Sequence, residues 1–253
     1  MARIDYDAIA HLYDSQPFRT KEADPHLGDL LRTLSTGERA SVRALDLGCG
    51  TGNQQAANLA SFPEVKLFGA DLFRGMLKQA AGKTRQVRWL QCDGIALPFR
   101  AGTFHYVSTQ FSLHHVKDKR RLMAEVLRVL RPGGRFVLQN ICPERMRESA
   151  QYRYFPESAA LDERDFLKIA ELKALCREVG FADVCAEVNV RRWERPLPLW
   201  AQELRRRDLN SSLQAVSDEG YAQGLKRIDE DLARGVYLVK DEVALVTLVA
   251  RAP

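Results

Sequence analysis

The chain has 253 residues, of which 45% are hydrophobic and 28% charged, and its formal net charge is +5. These proportions are ordinary for a globular domain and exclude a collagen-like, low-complexity or largely disordered chain. No apolar run reaches bilayer-spanning length and no signal-peptide pattern is found, so we expect a cytoplasmic protein without membrane insertion. The cysteines are scattered and lack C-x-x-C spacing, which argues against a metal site or a disulfide framework.

Short apolar segments that are typical of strands alternate with segments of helical periodicity along most of the chain. The predicted strands cover about residues 42–47, 65–71, 87–92, 104–109, 134–141, 184–193 and 243–250. The predicted helices between them cover residues 54–59, 73–81, 117–131 and 170–179. Such alternation is typical of parallel strands joined by right-handed crossovers, with ligands bound at the carboxyl ends of the strands.

A long insertion, residues 194–242, separates the last two predicted strands and is too long for a hairpin loop. Segments of helical character lie within it at residues 197–207 and 218–233, the second capped by Ser217. We expect this insertion, with residues 1–36 and 142–167, to form a lid over the substrate side. The sequence thus predicts one domain over residues 1–253, whose core covers about residues 37–141, 168–193 and 243–253.

Residues 45–52, Leu-Asp-Leu-Gly-Cys-Gly-Thr-Gly, follow the first predicted strand and are the most informative stretch. Glycine permits a tight turn, and the absence of a β-carbon lets a ligand approach the backbone. Free N–H groups at the start of the next helix would point towards that ligand. Position 53 is Asn, so the spacing is G-x-G-x-G rather than the dinucleotide fingerprint G-x-G-x-x-G, which argues against a nicotinamide or flavin enzyme.

The stretch at residues 46–52 resembles the first motif of class I S-adenosylmethionine-dependent methyltransferases, in their small-molecule branch. Other family features follow in order, and they lie at residues 65–71, 91–94, 104–115 and 128–134. Residues 6–15 resemble the N-terminal cap helix of that branch. The resemblance implies an α/β fold: a Rossmann-like, seven-stranded, mostly parallel sheet with helices on both faces. It also implies helical cap elements at the N-terminus and between strands six and seven, and S-adenosyl-L-methionine as the cofactor.

The resemblance places the cofactor against the glycine loop and the acids at the strand ends. Asp71 would accept both ribose hydroxyls, and Asp93 would accept the adenine amino group. Asp46 could accept hydrogen bonds from the loop amides, which would only hold the loop, or through water from the methionyl ammonium. A helix cap at Asp71 and a solvent-facing turn at Asp93 are the structural alternatives. The expected cofactor-binding residues are Asp46, Gly48, Cys49, Gly50, Gly52, Asp71, Leu72, Met76, Asp93, Gly94 and Gln110, and no metal ligand is expected.

The candidate catalytic residues are His115, His114 and Tyr13. An imidazole that titrates near neutrality could accept a proton from the acceptor, although a histidine here could also only anchor the loop. Tyr13 could close over the sulfonium, where an aromatic face gains about 0.5–2 kcal/mol, or it could simply pack the cap helix. His105 stands where the family more often has Asp, and we place it outside the site.

Arginine clusters at residues 191–195 and 205–207 allow nucleic-acid binding, attraction of an anionic small substrate, or a solvated basic face. The aromatic pattern of an RNA-binding module is missing. Residues 108–111 also differ from the Asn/Asp-Pro-Pro-Tyr/Phe motif of nucleic-acid amino methyltransferases. We therefore expect a small-molecule acceptor, which these arginines would suit if it were anionic. A tRNA or protein methyltransferase, and a protein that binds the cofactor without transferring its methyl group, are the alternatives.

Overall fold

The structure is a computed structural model that describes residues 6–15, 19–207 and 211–253. Contacts divide these residues into two compact units. The sheet unit comprises Tyr6–Asn140, Ala170–Glu187 and Thr247–Pro253, and the helical unit comprises Ile141–Ile169 and Val188–Val246 within the described residues. The helical unit thus contains most of the two later segments predicted as a lid, whereas the described N-terminal residues belong to the sheet unit.

Seven strands form one sheet in the order β3-β2-β1-β4-β5-β7-β6. They are β1 Arg43–Leu47, β2 Lys66–Asp71, β3 Arg88–Gln91, β4 Phe104–Gln110, β5 Leu130–Ile141, β6 Ala182–Pro196 and β7 Leu238–Arg251. Strands β1 to β5 pair in parallel. The Gly133 N–H donates to the Ala252 carbonyl, and the Cys142 N–H donates to the Ala244 carbonyl. The start of β5 thus lies beside the end of β7, so the two strands are antiparallel. The predicted Rossmann-like fold is confirmed.

The helices are α1 Tyr6–Ile9, α2 Pro25–Arg32, α3 Thr36–Arg39, α4 Asn53–Ser61, α5 Arg74–Lys83, α6 Lys119–Val129, α7 Ala150–Tyr154, α8 Pro156–Asp165, α9 Ile169–Val179, α10 Leu197–Leu204, α11 Ser211–Gln214 and α12 Asp218–Ala233. Local chemistry explains where several of them begin. The Asp24 carboxylate accepts the His26 and Leu27 N–H groups at the start of α2. Ser217 caps α12, as predicted, by accepting the Gly220 N–H at 3.0 Å.

Several elements differ from their predicted extent. Strand β5 begins at Leu130 rather than at residue 134, and β7 begins at Leu238 rather than at residue 243. The N-terminal cap helix predicted over residues 6–15 is only the four-residue α1, followed by a turn and a 3-10 helix at Tyr13–Ser15. Helix α6 ends at Val129 rather than at residue 131. Pro132 explains this early end, because its ring disfavours helical backbone at the preceding residue.

The sheet unit has apolar layers on both faces of the sheet. On one face, Leu27 and Leu31 of α2 pack with Ala44, Leu67 and Tyr106 of the central strands. An aromatic group covers the other face, where the Phe104 ring lies 5.2 Å from that of Phe68 and 4.8 Å from that of Phe99. These layers hold the central strands rigidly, so the loops at their carboxyl ends have a fixed base.

The helical unit has a hydrophobic core of its own, built around Tyr154, Phe155, Trp200 and Ile228. Gly224 lets α12 approach this core closely, because a β-carbon there would lie 2.1 Å from Phe155 Cε1. Among the described residues, no helix is long and apolar enough to cross a membrane.

Candidate cofactor-binding site

The glycine loop lies between β1 and α4. All three of its glycines have positive φ angles: 74° at Gly48, 53° at Gly50 and 77° at Gly52. A β-carbon on Gly48 would lie 2.5 Å from Ser112 Cβ, and one on Gly52 would lie 2.5 Å from Trp89 Cη2. These two positions therefore need glycine for both conformation and packing.

Gly50 differs from its neighbours because its side-chain direction is open. The described atom nearest to a β-carbon built there is Tyr13 Cε1, at 4.0 Å. Among the described side chains, Tyr13 alone comes within 4 Å of that built β-carbon, so its ring borders the loop at Gly50. Gly50 is thus the least crowded glycine of this loop, and a ligand could approach its backbone from the side of Tyr13.

Asp71 ends β2 and supports the glycine loop. Its Oδ2 accepts the Gly50 N–H at 2.8 Å, and its Oδ1 accepts the Phe73 N–H at 2.9 Å. The carboxylate is buried, and burial raises its pKa although these two hydrogen bonds act in the opposite direction. Each oxygen keeps a further lone pair, so Asp71 can hold the loop and still accept ligand hydroxyls.

Asp46 is the most strongly perturbed carboxyl group of this region. It is 3% exposed on β1. Burial raises its pKa to about 7, and the negative charges of Asp24 and Asp71 add to this, whereas Lys21 and a hydrogen bond from Ser108 lower it. A buried carboxylate that is so costly to ionise would be stabilised by a cationic ligand.

The remaining predicted cofactor residues divide into buried and accessible ones. Cys49 and Met76 are buried, and burial raises the pKa of the Cys49 thiol well above its usual value. Cys49 Sγ lies 3.0 Å from a β-carbon built on Gly69, so the side chain packs on β2, and its thiol donates to the Gly50 carbonyl of the loop at 3.9 Å. Leu72 is partly buried beside Asp71.

The predicted adenine-binding turn is a compact turn after β3. Asp93 is exposed, and its Oδ1 accepts the Ile95 N–H at 3.2 Å. A β-carbon on Gly94 would lie 2.9 Å from Leu122 Cδ1, so this glycine allows α6 to pack closely. Gln110, at the end of β4, accepts from Lys21 Nζ at 2.9 Å and donates to Gln54 at 3.0 Å.

Residues 6–15, the N-terminal strap, cross the glycine loop and the start of α5. Asp14 fastens the strap, because its carboxylate accepts from Thr51 Oγ1 at 2.6 Å and from Asn53 Nδ2 at 2.9 Å. The same carboxylate pairs with Lys83 Nζ at 2.6 Å. At the other end of the strap, Asp7 accepts the Gly75 N–H. The strap is thus attached to the elements that carry the loop and Asp71.

The two histidines after β4 have different surroundings. His115 is exposed, and a hydrogen bond of 2.9 Å joins its Nε2 to the Tyr6 hydroxyl of the strap. His114 is partly buried, and burial, followed by the charges of His115 and Lys119, lowers its pKa to about 2. A ring with so low a pKa binds a proton poorly, so His115 is the better candidate for a general base.

No sequence pattern indicates a role for Asp14, Lys21, Phe111 or Ser112. Phe111 follows β4 with a φ of 52°, which is unusual for a bulky residue, and its N–H donates to Gln139 O at 2.9 Å. The Ser112 hydroxyl forms a hydrogen bond of 2.5 Å with Thr109 Oγ1, and the Ser112 side chain lies against Gly48. Only the position of Phe111 directly after a strand could have drawn attention to it, because the other contacts join distant parts of the chain.

Four of the six arginines in the two clusters of the helical unit pair with acidic side chains. The ion pairs are Arg192–Glu242 at 3.1 Å, Arg195–Asp241 at 2.9 Å, Arg205–Asp229 at 2.5 Å and Arg207–Asp218 at 2.6 Å. These arginines therefore do not form the unopposed basic surface that nucleic-acid binding requires. In the part of the chain that the structure describes, no three His, Cys, Asp or Glu side chains cluster as metal ligands.

A family model described as a methyltransferase domain matches residues 45–138. A ubiquinone/menaquinone biosynthesis C-methyltransferase from Desulfotalea psychrophila is 33% identical over 140 residues, which cover 54% of this chain and 57% of that protein. A demethylmenaquinone methyltransferase from Thermus thermophilus is 36% identical over 110 residues, covering 42% and 50% respectively. The chain thus spans about half the length of these curated relatives.

Solved structures give the same fold at low identity. Phosphoethanolamine N-methyltransferase 2 from Haemonchus contortus, in complex with S-adenosyl-L-methionine, has a TM-score of 0.54 at 22% identity, over 84% of this chain and 49% of that one. The [4+2]-cyclase SpnF has a TM-score of 0.53 at 19% identity, over 98% of this chain and 80% of that one. Residues 45–138 therefore resemble the methyltransferase-domain family, within a chain that has the fold of these solved methyltransferase structures.

Proposed function

We propose that this protein is an S-adenosylmethionine-dependent methyltransferase that acts on a small-molecule acceptor. The observation that carries this proposal is the open backbone at Gly50, bordered by Tyr13 on the strap and held by the buried Asp71 carboxylate. Asp46 lies on the neighbouring strand β1, where Leu47 pairs with Ala70 of β2, the residue before Asp71.

These residues fit the cofactor. Asp71 would accept the ribose hydroxyls through its remaining lone pairs, and the glycine loop would contact the cofactor through its backbone. Asp46 would complement the methionyl ammonium, since its carboxyl group is buried and ionises only near pH 7 without a cation. When bound, the cofactor supplies an electrophilic methyl group on a positively charged sulfur. Asp93 and Gln110 stay predictions for the outer part of this site.

The protein's own contribution would be orientation, exclusion of water and removal of a proton. Holding two reactants in line can supply about 7–11 kcal/mol of the barrier. The strap would exclude water from the gap beside Gly50, with Tyr13 as its inner surface. His115, oriented by Tyr6, would accept the proton that the acceptor loses, and His114 would support its ring from 3.8 Å.

The family match ends before the helical unit begins, so the acceptor does not follow from the family. The names of several relatives refer to carbon methylation in quinone biosynthesis or to demethylmenaquinone. A demethylated quinol is therefore the first acceptor to test, followed by a metabolite extract. We also propose a cytoplasmic location, as expected from the sequence.

The test is transfer of a labelled methyl group from S-adenosylmethionine to these acceptors. Product formation by the native protein, and its loss in Gly50→Val, would support the proposal. Tight cofactor binding with no transfer to any acceptor would favour the alternative of a binding protein. Transfer to tRNA or protein, but to no metabolite, would instead favour the macromolecular alternative, although the paired arginines of the helical unit give it no support.

A further inference from the structure

Basic side chains form a row at the amino-terminal ends of the parallel strands of the sheet unit. We call this row the basic edge, and it lies at the opposite ends of the strands from the glycine loop. Arg43 begins β1 and Lys66 begins β2, and the parallel register pairs them directly. Ala44 pairs with Tyr106, so His105 lies beside Arg43 on the other side. Phe104 pairs with Leu130 and Tyr106 with Arg135, so an irregular segment that begins with Arg131 lies opposite His105, close enough for the Arg131 charge to lower the pKa of His105. Neighbouring strands are about 4.8 Å apart, so this basic edge crosses four adjacent strands.

The basic edge is not neutralised within the described residues. Arg43, Lys66 and Arg131 are exposed, and none of them forms an ion pair in the part of the chain that the structure describes. The next cation at this edge, Arg251, is 3.9 Å from Asp183. Like charges on neighbouring strands repel, so the row destabilises the ligand-free sheet. The helical unit shows the contrast, because its arginine clusters carry acidic partners.

His105 adds a hydrogen-bond donor to this edge. Its Nδ1 accepts the backbone N–H of Arg43 at 3.3 Å. A neutral imidazole whose Nδ1 accepts must carry its proton on Nε2, which is then a donor. Burial lowers the pKa of His105, and the charges of Arg131 and Arg43 lower it further, so the surroundings favour the neutral ring. The edge thus presents an N–H group between two guanidinium groups.

We propose that Arg43, His105 and Arg131, with Lys66 beside them, bind a phosphate-bearing anion. Guanidinium groups match the oxygens of a phosphate in bidentate geometry, a neutral imidazole N–H adds a directed donor, and a lysine adds a point charge. The anion would relieve the repulsion along the row and raise the pKa of His105. The basic edge and the glycine loop lie at opposite strand ends, so this proposal does not depend on the proposed methyltransferase activity.

Pyrophosphate is the first probe, and the proton NMR signal of the His105 C2–H reports its binding. We expect this signal to shift with saturation, and its titration midpoint to move to higher pH when pyrophosphate is present. Arg131→Gln should weaken binding about three- to tenfold. The matched control is Arg120→Gln, which removes the same charge from an exposed arginine paired with Glu178. We expect the control to bind as the native protein does.

Vesicles form the second arm of the experiment. Sedimentation with phosphatidylcholine vesicles, with and without phosphatidylglycerol, separates a lipid headgroup from a free phosphate compound as the source. Binding in either arm that Arg131→Gln weakens and Arg120→Gln does not would support the site. Absence of binding in both arms, or equal losses in the two variants, would overturn it. Arg43→Gln serves as the second variant if Arg131→Gln proves unstable in thermal unfolding.

Discussion

Replacing Asp46 with Asn should stabilise the ligand-free protein while it weakens cofactor binding. Burial raises the pKa of the Asp46 carboxyl from 3.8 to about 7. The folded chain therefore holds this proton more tightly than the unfolded chain does. Stability from this group is fully present below pH 3.8 and is lost as the pH rises to about 7.

The magnitude follows from the size of the shift. About three pKa units at roughly 1.4 kcal/mol each give up to about 4 kcal/mol at pH 8. Asparagine resembles the neutral acid in shape and does not titrate. We therefore expect Asp46→Asn to match the native protein near pH 4 and to exceed its free energy of unfolding increasingly up to pH 7.5.

Urea denaturation of both proteins at half-unit pH intervals measures this difference, and titrations common to both proteins largely cancel. Asp29→Asn is the control, because this exposed acid pairs with Arg32 on the surface and should change stability by less than about 1 kcal/mol at every pH. A stability difference that does not depend on pH would refute the reasoning. An Asp46→Asn protein that is less stable than the native protein at pH 8 would also refute it.

Three further changes test the site. Asp71→Asn leaves one of two backbone N–H groups without an acceptor, so calorimetry should show cofactor affinity about 10- to 100-fold lower. Tyr6→Phe keeps the ring but loses the bond to His115, so steady-state assays should show turnover about fivefold lower with unchanged cofactor affinity. Asp14→Asn weakens the Lys83 pair, so stopped-flow measurements should show cofactor release about two- to tenfold faster. Unchanged values would contradict the roles given to these residues.

The strand ends and the glycine loop could be predicted because their signals are local. Alternating apolar strands and helices fix a parallel sheet, and three glycines after β1 need the positive φ angles that they show. The acids at Asp46 and Asp71 follow from the same logic, since parallel strands bring their carboxyl ends to one edge.

Contacts between distant segments could not be predicted in the same way. Asp14 lies 69 residues before Lys83 in the sequence, and no periodicity relates the two, yet their ion pair fastens the strap. The pairing of Arg195 with Asp241 likewise depends on the positions of β6 and β7 in the sheet. The positive φ of Phe111 is set by its surroundings, since phenylalanine has no intrinsic preference for it.

The most direct test of the central claim is a calorimetric titration of the protein with S-adenosylhomocysteine, the product that the proposed reaction leaves behind. The proposal predicts one saturable site per chain, which is lost in Gly50→Val because valine is strained at a φ of 53° and its side chain enters the space beside Tyr13. The control is Gly82→Val, a position on α5 where a β-carbon meets nothing within 4 Å, and it should keep the native affinity. Undetectable binding to the native protein, or equal affinity in native and Gly50→Val proteins, would contradict the claim that the glycine loop holds the cofactor.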